Sequence, residues 1–166
     1  MAVLLVYYCF LRPGQEVRLL KGKYFNFSGG VIRVPAEIVK VNRAKTVTMP
    51  DHLIEVLRKY GVDKADPDLY LFGRHGTFGI KPISVNMLTW RFNKYRDALG
   101  LSKGIHLYSA KHTGNNAMIQ FANITEVMNQ NGHTNLNTTQ RYLCKKIGLF
   151  NVNIQHNFKN PMIQSA

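Results

Sequence analysis

Ala2 to Phe10 is an almost unbroken apolar block, closed by Pro13-Gly14. A segment apolar on every side predicts a buried helix. Glu16 to Lys21 predicts a second, short helix with Val17, Leu19 and Leu20 inward. The pattern then tightens. Tyr24 to Phe27, Val31 to Pro35 and Thr46 to Met49 are brief runs rich in β-branched or aromatic residues, which predicts three strands. Ser28-Gly29-Gly30 suits a tight turn between the first two. Glu37 to Lys45, carrying Lys40, Arg43 and Lys45, makes a longer hairpin between the second and third.

After Pro50-Asp51 the helical period returns. Leu53, Ile54, Val56 and Leu57 form one face behind a good N-terminal signal. Gly61 to Pro82, punctuated by Pro67, Gly73, Gly76 and Gly79, reads as a long surface loop. Leu88, Phe92, Tyr95 and Leu99 predict the buried stripe of an amphipathic helix ending at Gly100. Ser109 to Phe121 is helix-like. Asn123 and Glu126 have the spacing of a capping box, and Gly132 is a helix stop. Leu136 to Cys144 predicts a further helix. The fold class expected is α+β, mainly α-helical with a small three-stranded antiparallel sheet.

Length and charge narrow the function. With 166 residues the chain suits one domain able to bury its own core. It carries 22 Lys and Arg against 9 Asp and Glu, a net charge of +13. Beyond Asp97 the only acidic residue is Glu126. The excess lies in core-bearing sequence rather than in a low-complexity tail, so the folded surface itself is basic and fits a polyanion, nucleic acid above all. No apolar run approaches the ~20 residues of a membrane span, and no signal peptide is visible, so a cytoplasmic, non-membrane protein is expected. Cys9 and Cys144 are the only cysteines, without a C-x-x-C. This excludes a disulfide framework and argues against structural zinc.

Four segments then stand out together: Leu11-Arg12-Pro13-Gly14-Gln15-Glu16, the Lys40 hairpin, Tyr108-Ser109-Ala110-Lys111-His112-Thr113-Gly114, and Gly132-His133 with Tyr142 nine residues on, after Thr138-Thr139. In this order they resemble the catalytic domain of tyrosine recombinases, the phage integrase family, in wording typical of integrases from Bacteroidetes mobile elements. The resemblance runs from about residue 3 to about residue 145. It implies the DNA breaking-rejoining fold and site-specific strand cleavage through a 3′-phosphotyrosyl intermediate, with no metal or other cofactor. It implies double-stranded DNA as partner and tetramers on DNA, the present chain being monomeric alone. It also implies a single catalytic domain over residues 1–166, with 146–166 as a tail that packs on a neighbouring protomer. An N-terminal core-binding domain, usual in the family, is expected to be absent.

Metal-free cleavage of a phosphodiester needs cations around a five-coordinate phosphorane. The resemblance gives Arg12 as the bidentate phosphate clamp and Lys40 as general acid for the leaving 5′-oxygen. Lys111 takes the place of the usual second Arg, and Tyr108 that of the His before it. His133 is a phosphate hydrogen-bond donor and Tyr142 the nucleophile. Glu16 buttresses Arg12, Gln15 standing at the usual acidic position, and His112 supports the site. Arg43 and Lys45 are expected to contact DNA, and by spacing either competes for the role of Lys40. Taken singly, each residue has a plainer reading: a surface Arg, a solvated Lys, a core Tyr, a helix-capping His. Two other classes compete as well. One is a DNA-binding module that keeps the fold without cleavage; the other is a basic RNA-binding protein, against which the lack of an aromatic-basic RNA-recognition signature counts.

Overall fold

A computed structural model describes residues 1–133; the predicted Leu136–Cys144 helix, Tyr142, Cys144 and the 146–166 tail lie outside the described residues. Helix α1 (Ala2–Cys9) is the apolar opening block, with Leu5, Val6 and Cys9 fully buried. It ends at Phe10, whose φ of 52° and ψ of 29° are left-handed, a rare state for a bulky residue. The second predicted helix is a single 3₁₀ turn, Val17–Leu19.

Strands β1 (Phe25–Asn26), β2 (Val31–Val34) and β3 (Lys45–Thr48) form an antiparallel sheet in the order β1-β2-β3. Ile32 pairs with Val47 and Val34 with Lys45. Alternation along the strands puts Ile32, Val34 and Val47 in the core. By the same period of two, Lys45 shares the inward face with Val47.

Helices α2 (Asp51–Lys59), α3 (Met87–Ala98), α4 (Ser109–Met118) and α5 (Ile124–Asn131) follow. Helix α4 lies directly on α1. Gly114 makes this approach possible, because a Cβ there would fall on the Tyr7 carbonyl oxygen, with the Phe10 ring 3.0 Å away. Helix α5 opens with the expected capping box: Asn123 N donates to Glu126 Oε2 (2.8 Å) and Glu126 N to Asn123 Oδ1 (3.0 Å). It closes at Gly132 in the left-handed region, φ 70°, with His133 N donating to Met128 O.

Two expectations fail. Tyr95 and Leu99 are both 72% exposed. Of the expected stripe, Leu88 is buried and Phe92 packs partly buried on the core; Arg96 is buried in place of Tyr95 and Leu99, because its guanidinium pairs with Asp97 and donates to the Lys103 and Ile105 carbonyls of the next loop. Nor is 61–82 merely a surface loop. Val62, Leu71 and Phe72 are buried, and so is Ile83 just beyond. Isolated bridges tie Tyr70 to Lys21 and Gly79, and Gly73 to Pro82. They satisfy backbone groups that burial would otherwise leave unpaired.

Candidate active site

The chain crosses the end of α1 at Phe10 and turns through Arg12-Pro13-Gly14. This brings Glu16 back under Arg12. The Glu16 carboxylate is fully buried. It accepts from the Arg12 backbone N (3.0 Å), from Arg12 Nη1 (3.2 Å) and from Lys45 Nζ (2.8 Å). The Arg12 side chain is 30% exposed, so it is anchored on Glu16 through Nη1 and still reaches solvent. Lys45, expected on the DNA side with Arg43, is instead turned inward: its side chain is 7% exposed and its ammonium sits on Glu16. The strand period that carries Val47 into the core carries Lys45 with it. Lys40 and Arg43 are exposed on the hairpin.

Lys111 enters from the first turn of α4. It is 1% exposed, and Nζ donates to the Phe10 carbonyl at 2.7 Å. Burial first, then the nearby charges of Lys45 and Arg12, push its pKa down to about 7, against the opposing pull of Glu16. His133 arrives from the end of α5 and is half-buried. Burial, then Lys111, Arg12 and Lys45, lower its pKa to about 4. At neutral pH it is therefore an uncharged imidazole, able to donate one N–H.

Gln130 sets the placement of His133. Its amide accepts from Thr48 N (2.9 Å) and donates to Thr48 O (2.8 Å) and Tyr8 O (3.0 Å). It thereby covers the edge of β3 and pins α5 to α1. Gly132 then packs on Lys45, where a Cβ would lie 2.7 Å from Cδ. Neither Gln130 nor the Phe10 carbonyl was evident in the sequence; Lys45 could have been placed from its two-residue offset to Val47.

Thus Arg12, Glu16, Lys45, Lys111 and His133, from four separate segments, act on one another in a single cluster. Three basic side chains face one carboxylate, so the cluster is biased toward an anion. Tyr108 stands at the N-cap position of α4, its ring edge-to-face with exposed His112 at 5.2 Å. Tyr142 lies outside the described residues. Cys9 is buried and its thiol pKa is raised to about 12, mainly by burial, so it is no nucleophile. No group of three or more His, Cys, Asp or Glu among the described residues could hold a metal. No described helix is long and apolar enough to cross a membrane. A cleft of about 600 Å³ lined by Tyr7, Tyr8, Met118 and Phe121 is mainly apolar and holds none of the clustered charges.

The profile of the Phage integrase family matches residues 1–146. A tyrosine recombinase of Thermosipho africanus is 31% identical over 143 residues, 86% of this chain and 48% of the relative. One from Pseudothermotoga lettingae is 30% identical over 141 residues, 84% of this chain and 46% of the relative. The chain therefore spans about half the length of these curated relatives. Among solved structures, the fold is similar to the crystal structure of XerA recombinase (TM-score 0.67, 18% identity, 94% of this chain and 57% of that one). It is also similar to the Tn1549 transposon integrase in complex with circular intermediate DNA (TM-score 0.69, 15% identity, 96% and 56%).

Proposed function

The chain belongs to the phage integrase family, and from that premise we propose that it is the catalytic part of a site-specific DNA recombinase acting on double-stranded DNA in the bacterial cytoplasm. In this reading Tyr142 attacks the scissile phosphate and forms a 3′-phosphotyrosyl bond. Arg12, anchored on Glu16, clamps a non-bridging oxygen. His133, uncharged, donates a hydrogen bond to the phosphate, and Lys111 supplies positive charge from beneath. Lys40, exposed on the hairpin, gives its proton to the departing 5′-oxygen. Lys45 holds Glu16 and does not touch DNA. Arg43 contacts the backbone, Tyr108 replaces a proton-shuttling His with a hydroxyl donor, and His112 supports that ring. Residues 146–166 pack on a neighbouring protomer in a tetramer assembled on DNA. The supporting observation is that Arg12, held by the buried Glu16 carboxylate, acts electrostatically on both Lys111 and His133, which brings the three together.

A second reading, a DNA-binding module without cleavage, draws on one feature: Lys111 replaces the planar guanidinium and rests on the Phe10 carbonyl. A denaturing gel separates the two. Wild type incubated with a nicked duplex bearing a recombination site should give a covalent protein–DNA adduct. Tyr142→Phe should give none while binding DNA as before. An adduct that persists in Tyr142→Phe and vanishes in Tyr108→Phe would reassign the nucleophile. No adduct from wild type would favour the binding module.

A further inference from the structure

Lys111 is a cation in surroundings that do not suit a permanent charge. It is 1% exposed, and its ammonium rests on a neutral acceptor, the Phe10 carbonyl. The charges that face it are Arg12 from the turn after α1 and Lys45 from β3, both repulsive. The attractive one, Glu16, already accepts from Arg12 and Lys45. His133 faces it from the end of α5, and Tyr108 and His112 are its neighbours on α4. An amine in this position keeps its hydrogen bond to Phe10 whether protonated or not. Only the ammonium form pays for desolvation beside two cations.

We propose that Lys111 is a proton-linked phosphate receptor: buried on the neutral Phe10 carbonyl it sheds its proton in the DNA-free protein, and it takes one up as a DNA phosphate docks at Arg12. This rests on the recombinase reading of the same site. A phosphodiester brings one negative charge to a cluster with an excess of positive ones. It cancels that excess and so favours the ammonium. Binding and protonation therefore strengthen each other to the same extent. The balance is simple: up to one proton comes from solvent for each occupied site, and no covalent bond changes. The lowered pKa of about 7 in the free protein is the same physics read from the other side. An arginine, permanently charged, would carry no such linkage. His133, held near 4, remains neutral at pH 8 and does not account for uptake there.

The test reads Lys111 directly. In protein labelled with ¹³C- and ¹⁵N-lysine, the Lys111 ε-carbon resonance is identified by its loss in Lys111→Met and followed against pH, alone and with a short duplex DNA. The midpoint should lie near neutrality in the free protein and rise by at least about one pH unit, tenfold in proton affinity, with DNA. An ordinary lysine midpoint near ~10.4 in the free protein overturns the proposal. So does a midpoint that stays put once anisotropy shows the DNA to be bound. Titration calorimetry at pH 8 in two buffers of different ionisation enthalpy gives an independent reading. Wild type and His133→Ala should take up about 0.4 proton or more per DNA bound, the amount a one-unit rise from about 7 gives at pH 8, and Lys111→Met none. Equal uptake by wild type and Lys111→Met overturns the assignment. Linkage without any covalent adduct from wild type would leave this proposal standing and remove the recombinase reading; an adduct without linkage would do the reverse.

Discussion

Glu16→Ala is the substitution whose cost the geometry defines best. The carboxylate is fully buried and accepts three hydrogen bonds, two from Arg12 and one from Lys45. Lys45 cannot turn to solvent cheaply, because its side chain is 7% exposed and its stem is packed on Gly132. Removing the carboxylate leaves a buried ammonium without a partner, a loss of about 3–5 kcal/mol. It also deletes the negative charge that balances Arg12, Lys45 and Lys111. Against a typical total stability of about 5–15 kcal/mol, that is a third or more for an average protein. For a chain of this size it should lower Tm by on the order of 10 °C. Urea unfolding followed by circular dichroism measures it. The double variant Glu16→Leu, Lys45→Met replaces the pair by apolar groups and should recover most of the loss. It should still fail to cleave DNA, since Arg12 has lost its buttress. A loss below about 1 kcal/mol in Glu16→Ala, the range of an exposed pair, would refute the reasoning.

Gly114→Ala drives a methyl group into the Tyr7 carbonyl, so α1 and α4 must part; expect a loss of about 2 kcal/mol or more in urea unfolding. Gln130→Ala strips three hydrogen bonds from Thr48 and Tyr8 and should cost about 1–3 kcal/mol, with the His133 ring resonances displaced by NMR. Stability should rise with pH in two windows. His133 has a folded pKa of about 4 against 6.5, and Lys111 about 7 against 10.5. Inside each window the unfolded chain binds more protons than the native one, so ΔG of unfolding increases as pH rises. Urea midpoints at pH 7 and 9 should show the upper rise, and Lys111→Met should flatten it.

What the sequence revealed was mostly local. The all-apolar α1, the Asn123–Glu126 box and the Gly132 stop are decided by neighbours within a few residues, and each stands where its pattern places it. Arg12 and Glu16 lie four apart on a turn marked by Pro13-Gly14, so their contact is also short-range. The failures are tertiary. Tyr95 and Leu99 have helical spacing, but the core ends before that part of α3, and a charged residue, Arg96, is buried there because loop carbonyls satisfy it. The 61–82 segment has loop composition, yet single bridges suffice to bring Leu71 and Phe72 inside. Spacing left Lys40, Arg43 and Lys45 open; the β2–β3 register turns Lys45 inward and leaves the other two exposed. The Phe10 carbonyl, which receives Lys111 from a hundred residues away, is a backbone atom with no side-chain signature to read.

The central claim is that Arg12, with Lys111 and His133, stabilises negative charge on a phosphate under attack. The most direct measurement is the rate of covalent adduct formation by wild type and Arg12→Ala on two nicked duplexes. One carries an ordinary scissile phosphate, and the other a methylphosphonate, which lacks the anionic non-bridging oxygen. On the ordinary phosphate Arg12→Ala should be slower by about 10²–10³-fold, the usual cost of removing a donor aimed at developing charge. On the methylphosphonate, with no charge to neutralise, the two proteins should react at similar rates. An equal loss on both substrates would show that Arg12 does not act on phosphate charge, and would contradict the account.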